Sequence, residues 1–348
     1  MKLRFALVGA GVIGKVHAEA LAALPDVAEL VAVVDRDPAK ARELAARYGA
    51  ESATDLDAVL RRDDIDAVTI CTPSGVHADG AVAALDAGKH VVVEKPIDIT
   101  LAAADRIIDA EKRSGKTVAV VSQHRFDRST EKVLDAVRDG HLGTVTSAIA
   151  SHAWWRGQSY YDSGEWRGTW ALDGGGAVMN QTVHTINLMI TTVGVPVEVF
   201  AYTGCLAHER IEVEDTAVAV VKFDSGALGV IHGTTAAYPG LDACLRVFGS
   251  KGSAVITDDE LVFFHGNAGD AAEIGMQGLA AENQVTDDDK LQPEDRPLGR
   301  AHRRQLADFV EAIATGRAPR VGTAEARTAL SVILAMYESA ATGRPVKL

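Results

Sequence analysis

The stretch that decides the fold is Leu3-Arg4-Phe5-Ala6-Leu7-Val8-Gly9-Ala10-Gly11-Val12-Ile13-Gly14. Leu3–Val8 reads as a strand and Val12–Leu24 as a helix, so Gly9, Gly11 and Gly14 form a GxGxxG turn between them. The first glycine permits the tight turn, the second lets the backbone approach a pyrophosphate, and the third lets helix and strand pack closely. The helix N-terminus then offers unpaired N–H groups and a partial positive charge to phosphate. Asp35 lies 21 residues beyond Gly14 and ends the next strand, Leu30–Val34. Its carboxylate suits the two adenosine ribose hydroxyls and repels a 2′-phosphate, which favours NAD over NADP. Arg36 keeps NADP open, because a guanidinium there can grip a 2′-phosphate. The bland alternative is a plain glycine turn beside a solvated Asp35; the strand–turn–helix–strand context weighs against it.

Outward from this turn the pattern repeats. Pro38–Tyr48, Val76–Ala87 and Thr100–Ser114 read as helices, and Ala67–Cys71, His90–Val93 and Thr117–Val121 as strands. Strands alternating with helices imply a parallel, doubly wound sheet. The strands are Val/Ile-rich throughout, as expected when helices cover both faces. Residues 1–122 are therefore expected to form an α/β Rossmann domain, and residues 123–348 an α+β domain. In the second part Ser129–Asp139 and Val178–Val193 read as helices. Thr144–Trp155, Val197–Leu206, Ala217–Lys222, Ala227–Thr235 and Ala243–Phe248 read as strands, and His302–Thr315 and Thr323–Ala340 as closing helices. Asn267–Gly299 is acidic and weakly patterned and reads as a loop, with Asp287–Asp289 solvated.

Composition narrows the function. The 348 residues are 47% apolar and 24% charged, ordinary for a globular chain of about two domains. The formal charge of −13 argues against a nucleic-acid partner or an anionic membrane surface. No run approaches the ~18 apolar residues of a membrane span, and the glycines interrupt any signal-peptide core. Cys71, Cys205 and Cys244 are too scattered for a disulfide framework or a zinc motif, which fits a cytoplasmic setting and predicts no metal.

Several further motifs act together. Glu94-Lys95-Pro96 ends a strand just before a helix, Thr72-Pro73 precedes His77, and Gly174-Gly175-Gly176-Ala177-Val178-Met179-Asn180-Gln181-Thr182-Val183-His184 opens the later helix. With the glycine turn, this set resembles the Gfo/Idh/MocA family of glucose–fructose oxidoreductase, inositol dehydrogenase and their relatives, over nearly the whole chain. The resemblance implies an open, mostly antiparallel sheet in the second domain, which usually builds a homodimer or homotetramer. It also implies NAD(P)-dependent oxidation of a sugar, inositol or related polyol, with Thr72, Pro73, His77 and Glu94 on the cofactor.

Lys95 is the residue on which the chemistry turns. It sits at the carboxyl end of a parallel strand, where open α/β sheets bind ligands, and the matching lysine of the family points at the reacting hydroxyl. An ordinary lysine stays protonated at neutral pH. Burial and a nearby nicotinamide cation would lower it into the range of an efficient general base. The resemblance also implies a cis Lys95–Pro96 bond. The alternative is a surface lysine in a βα loop. Asn180 and His184 are spaced i, i+4 and share one face if the helix has begun there. The family commonly carries Asp-x-x-x-His; here Asn180 stands for the Asp. An amide can bridge a hydroxyl and an imidazole but cannot take a proton, so the main base is expected at Lys95 rather than His184, which otherwise reads as a core histidine. Gln123 and Arg125 are expected on the nicotinamide or substrate side by resemblance. His302 reads equally as a site or a capping residue.

All four tryptophans fall within residues 154–170, with Tyr160 and Tyr161. Apolar sugar faces stack on such rings, so Trp155, Tyr160 and Trp166 are expected to bind substrate, with Arg156 and Arg167 on its hydroxyls. A rigid aromatic loop at an interface is the competing reading. Three functions follow: a sugar or polyol dehydrogenase, a silent NAD-binding regulator, or a glycosidase or lyase that oxidises its sugar transiently.

Overall fold

Leu3–Val8 forms β1, and five of its six side chains are buried. It is an inner strand of a six-stranded parallel sheet with β2 (Ala28–Val34), β3 (Glu51–Ala53), β4 (Ala67–Ile70), β5 (His90–Val93) and β6 (Val118–Val120), in the order β3-β2-β1-β4-β5-β6. That order reverses between β1 and β4, the switch point at which doubly wound sheets bind ligands. The computed structural model describes residues 2–267, 282–289 and 299–348. The sheet belongs to a unit made of residues 2–123, 171–174 and 299–330; the rest of the described chain forms a second unit.

The membership of residues 299–330 corrects the expected division at 122/123. Chain order alone places the helix Arg300–Thr315 in the second domain. Its apolar side chains Leu306, Phe309 and Val310 instead join Phe5, Leu7 and Leu21 in the first core, with the Phe5 and Phe309 rings 6.3 Å apart. Gln305 fixes it further, accepting from the Ser122 N–H at 3.0 Å and donating to the Val120 carbonyl at 2.8 Å. Burying about 25 cal/mol for each Å2 of apolar surface outweighs chain order.

The second unit carries an eight-stranded sheet. Its strands are β7 (Val145–Ala153), β8 (Pro196–Gly204), β9 (Thr216–Phe223), β10 (Leu228–Thr234), β11 (Ala243–Gly249), β12 (Ser253–Thr257), β13 (Glu260–His265) and β14 (Val346–Lys347). Their order is β13-β12-β11-β7-β10-β9-β8-β14, antiparallel except for β7 with β10, as the mostly antiparallel expectation required. The helix Val183–Val193 packs against β7 and β11. Most of the acidic stretch expected as a loop, Asn267–Gly299, lies outside the described residues. Within it, Asp289 is not solvated: its carboxylate meets Lys132 Nζ at 2.5 Å. Among the described residues no helix is long and apolar enough to cross a membrane.

Candidate functional site

In the first unit the candidate residues lie at the carboxyl ends of β1, β4 and β5. Gly9 has φ +102°, and a Cβ there would stand 2.5 Å from the Cys71 carbonyl oxygen. A Cβ on Gly14 would stand 2.0 Å from the Gly9 carbonyl oxygen. Gly11 differs, because nothing beyond its chain neighbours lies within 4 Å of its missing Cβ, and Val12 beside it is 75% exposed. The helix Val12–Ala22 begins there with no side-chain cap and no acidic residue in its first turn. Its first N–H groups, from Val12 and Ile13 onward, form the cradle a pyrophosphate needs. Asp35 braces the turn: Oδ2 accepts from the Ala10 N–H at 2.7 Å and Oδ1 from the Asp37 N–H at 2.8 Å. Each oxygen keeps a further lone pair for a ribose hydroxyl. Arg36 is exposed. The Thr72 hydroxyl is buried without a hydrogen-bond partner among the described residues, and a bound polar group would satisfy it. Open turn, braced acid and orphan hydroxyl together fit a dinucleotide.

Lys95 stands where β5 ends, and the Lys95–Pro96 peptide is cis. Its backbone N–H donates to Glu94 Oε2 at 2.9 Å. Glu94 Oε1 lies 2.9 Å from His17 Nε2 and 3.6 Å from His302 Nε2. Burial opposes the Glu94 charge, yet the hydrogen bonds from His17 and His302 hold it well below the usual carboxylate range. Burial likewise opposes an imidazolium at His17, but the Cys71 sulfur and Glu94 push it up to about 10. The Glu94 carboxylate, expected on the cofactor, is thus turned into the protein. His77, also expected there, is buried with Nδ1 2.8 Å from the Pro96 carbonyl and Nε2 3.0 Å from the Thr72 carbonyl. Burial holds it below its usual value. It ties the loop carrying Thr72 and Pro73 to the loop carrying Lys95, rather than reaching outward.

In the second unit the candidate residues gather around the start of the helix Val183–Val193. One α-helix over Val178–Val193 is expected from the sequence; a π turn, Ala177–Thr182, precedes the α-helix instead. Asn180 lies in that turn and His184 in the α-helix, so the simple i, i+4 face does not apply. The glycines ahead of it make room for protein, not for ligand. A Cβ on Gly175 would stand 2.0 Å from the Tyr337 hydroxyl, and one on Gly176 would stand 1.8 Å from the Glu214 carbonyl oxygen. The Glu214 carboxylate accepts from the N–H groups of Gly176 and Val178 at 3.0 and 2.9 Å and from the Tyr337 hydroxyl at 3.0 Å. Sequence reading missed Glu214, because an acid between strands looks like a solvated turn. The His184 ring meets His124 edge-on, 5.0 Å between centroids. His124 lies in the turn Gln123–Phe126, between Gln123 and Arg125. Its Nδ1 is 3.0 Å from Asp127 and 2.8 Å from Asp259. Burial opposes its charge, but these two carboxylates push it up to about 10.

Close by in sequence, the aromatic run forms a compact cluster. Arg156 lies 5.0 Å from the ring centroids of both Trp154 and Tyr160, and Arg167 lies 4.4 Å from those of Tyr160 and Trp166. The Tyr160 hydroxyl accepts from Arg167 at 2.7 Å and from Gln181 at 3.1 Å, while Arg156 donates to Gln181 at 3.2 Å. Gln181 in turn approaches Asn180 Oδ1 at 3.5 Å. Trp155 stands apart, packed on His208 and Tyr238, and the ring beside Arg156 is that of Trp154. Two trios, His17–Glu94–His302 and His124–Asp127–Asp259, bring their ligand-type atoms within 4.8 Å of one another, a grouping that sequence spacing did not show.

Comparison with known proteins gives matches along the chain. A family model described as an oxidoreductase family with an NAD-binding Rossmann fold matches residues 3–122, and one for the GFO/IDH/MocA C-terminal domain matches residues 130–255. Myo-inositol 2-dehydrogenase of Thermotoga maritima is 32% identical over 274 residues, covering 74% of this chain and 79% of that protein. The WlbA dehydrogenase of Bordetella pertussis, solved with NADH and UDP-GlcNAcA, has a TM-score of 0.87 at 31% identity, covering 100% of this chain and 99% of that one. Levoglucosan dehydrogenase, solved with NADH and levoglucosan, has a TM-score of 0.89 at 25% identity over 100% and 99% of the two chains.

Proposed function

The chain belongs to the GFO/IDH/MocA oxidoreductase family, and from that premise we propose that it oxidises a hydroxyl of a sugar, inositol or related polyol, with Lys95 as the general base. Its first unit is an NAD-binding Rossmann domain. The observation that carries the assignment of the base is the anchoring of Lys95: its backbone is held by the buried Glu94 carboxylate at the ligand end of β5. NAD, when bound, accepts the hydride from the carbinol carbon. The Lys95 amine takes the hydroxyl proton. His184 and Asn180 hydrogen-bond the sugar; the Asn180 amide orients a hydroxyl but does not receive its proton. Asp35 takes the ribose hydroxyls, and the N–H groups after Gly11 take the pyrophosphate. The exposed Val218, Val220 and Val230 side chains on one face of β9 and β10 support a homodimer or homotetramer.

The test is Lys95→Ala. A general base contributes about 10²–10⁴-fold to rate, so turnover on a sugar or polyol found by screening should fall by that factor. NADH affinity, followed by its fluorescence, should stay within about twofold. A variant that keeps the full rate would remove Lys95 from the mechanism.

A further inference from the structure

We infer that Arg156 and Arg167 form a receptor for an anionic group carried by the substrate, so that the preferred sugar bears a carboxylate or a phosphate. The inference rests on the reading of this protein as a sugar or polyol dehydrogenase and narrows its substrate class. Among the arginines that do pair, Arg4, Arg62, Arg317 and Arg327 each meet a carboxylate at 2.9 Å or less. Arg156 and Arg167 meet none among the described residues. The nearby Asp162 is taken by Arg210 at 2.9 Å. Two guanidinium charges therefore share one Tyr160 ring in a chain of formal charge −13, with no counter-charge of their own.

Their hydrogen bonds are also incomplete. A guanidinium offers five N–H donors. Arg156 spends one on Gln181 Oε1, Arg167 spends one on the Tyr160 hydroxyl, and Arg156 Nε is buried with no partner. Stacking on Trp154, Tyr160 and Trp166 fixes each guanidinium plane while leaving its edge free to donate, the arrangement that takes carboxylate or phosphate bidentately. Gln181 joins the pair to Asn180, so an anion held here belongs to the same ligand as the hydroxyl that Asn180 orients.

All four tryptophans lie in residues 154–170, so their fluorescence reports on this cluster without turnover. The full chain with NADH is titrated with D-glucuronate, glucose 6-phosphate, glucose and myo-inositol. At least one anionic sugar should bind tenfold or more tighter than glucose, and whichever of glucuronate and glucose 6-phosphate binds tighter identifies the group. Arg156→Gln and Arg167→Gln should each bring that sugar to within about twofold of glucose, while Arg156→Lys retains part of the preference. Equal binding of charged and neutral sugars, absence of binding by both anions, or unchanged preference in folded Gln variants overturns the inference. NADH formation on the same panel is scored separately. Turnover of neutral sugars alone sinks the anion receptor and leaves the dehydrogenase standing; an anion preference without any turnover does the reverse.

Discussion

At the residue scale, the site's lysine leans on a buried ion pair. Glu94 holds the Lys95 N–H with one oxygen and faces His17 with the other, both side chains being almost fully buried. Removing one partner of such a pair leaves an uncompensated charge and costs about 3–5 kcal/mol. Glu94→Gln should therefore lower the unfolding free energy, read from urea titration, by that amount and reduce kcat through misplacement of Lys95; a stability loss below about 1 kcal/mol would show that the pair is dispensable. The pair also sets a pH dependence. His17 is raised from 6.5 to about 10, so its contribution is complete below pH 6.5 and is lost as pH rises through 10. Glu94 acts in the opposite sense, its contribution being lost as pH falls below the carboxylate range. His124, raised to about 10 by Asp127 and Asp259, adds to the alkaline loss. His17→Gln should flatten the decline in melting temperature between pH 6.5 and 10, and an unchanged slope would refute the assignment. The sequence made Lys95 visible, because Glu94 and Pro96 flank it. It left His17 invisible: a lone histidine inside a helix, bonded to an acid 77 positions away, forms no local motif.

At the scale of elements, the π turn Ala177–Thr182 shows where periodicity stops being informative. Its apolar pattern reads as plain α-helix, and the partner of its Val178 N–H is a carboxylate 36 residues away, Glu214, which no local pattern announces. Burial pushes Glu214 up to about 7, although its hydrogen bonds from Val178 and Gly176 pull the other way. A carboxyl raised above its ordinary 4.5 contributes most below that pH, and the contribution is lost as pH rises through 7. Glu214→Gln titrates nowhere in this range. The stability of the wild-type protein relative to this variant should thus fall by about 3 kcal/mol between pH 4.5 and 7.5, read from paired melts. A constant difference across that range would mean that Glu214 stays ionised in the fold. The β12–β13 hairpin was missed for a related reason. Its two-residue turn places Asp258 and Asp259 at φ 46° and 68°, a conformation that glycine or asparagine normally announces. Asp259 is committed instead to His124.

At the scale of the whole molecule, the Rossmann order was legible because each βαβ step is local, and the return of residues 299–330 to that unit was not, because no local pattern records which core a helix joins. The sheet of the second unit raises the remaining question of assembly. On one face, cross-strand pairs Val220–Val230, Val218–Tyr202 and Lys222–Leu228 stand side by side. Of these, Tyr202 is 68%, Leu228 59%, Val220 54%, Val218 47% and Val230 37% exposed. Contiguous apolar side chains at this exposure mark an interaction surface. A second copy of the chain is the partner proposed for it, since a two-fold axis would set the same patch against itself. Light scattering on the eluting protein should then give a mass at least twice the 36.7 kDa of one chain. Val220→Asp with Val230→Asp places two charges in the patch and should return the protein to 36.7 kDa while leaving NADH binding intact, because both residues belong to the second unit and the glycine turn and Lys95 to the first. A wild-type protein that elutes as a single chain would remove the sheet face from the assembly; an oligomer unaffected by both aspartates would move the interface elsewhere.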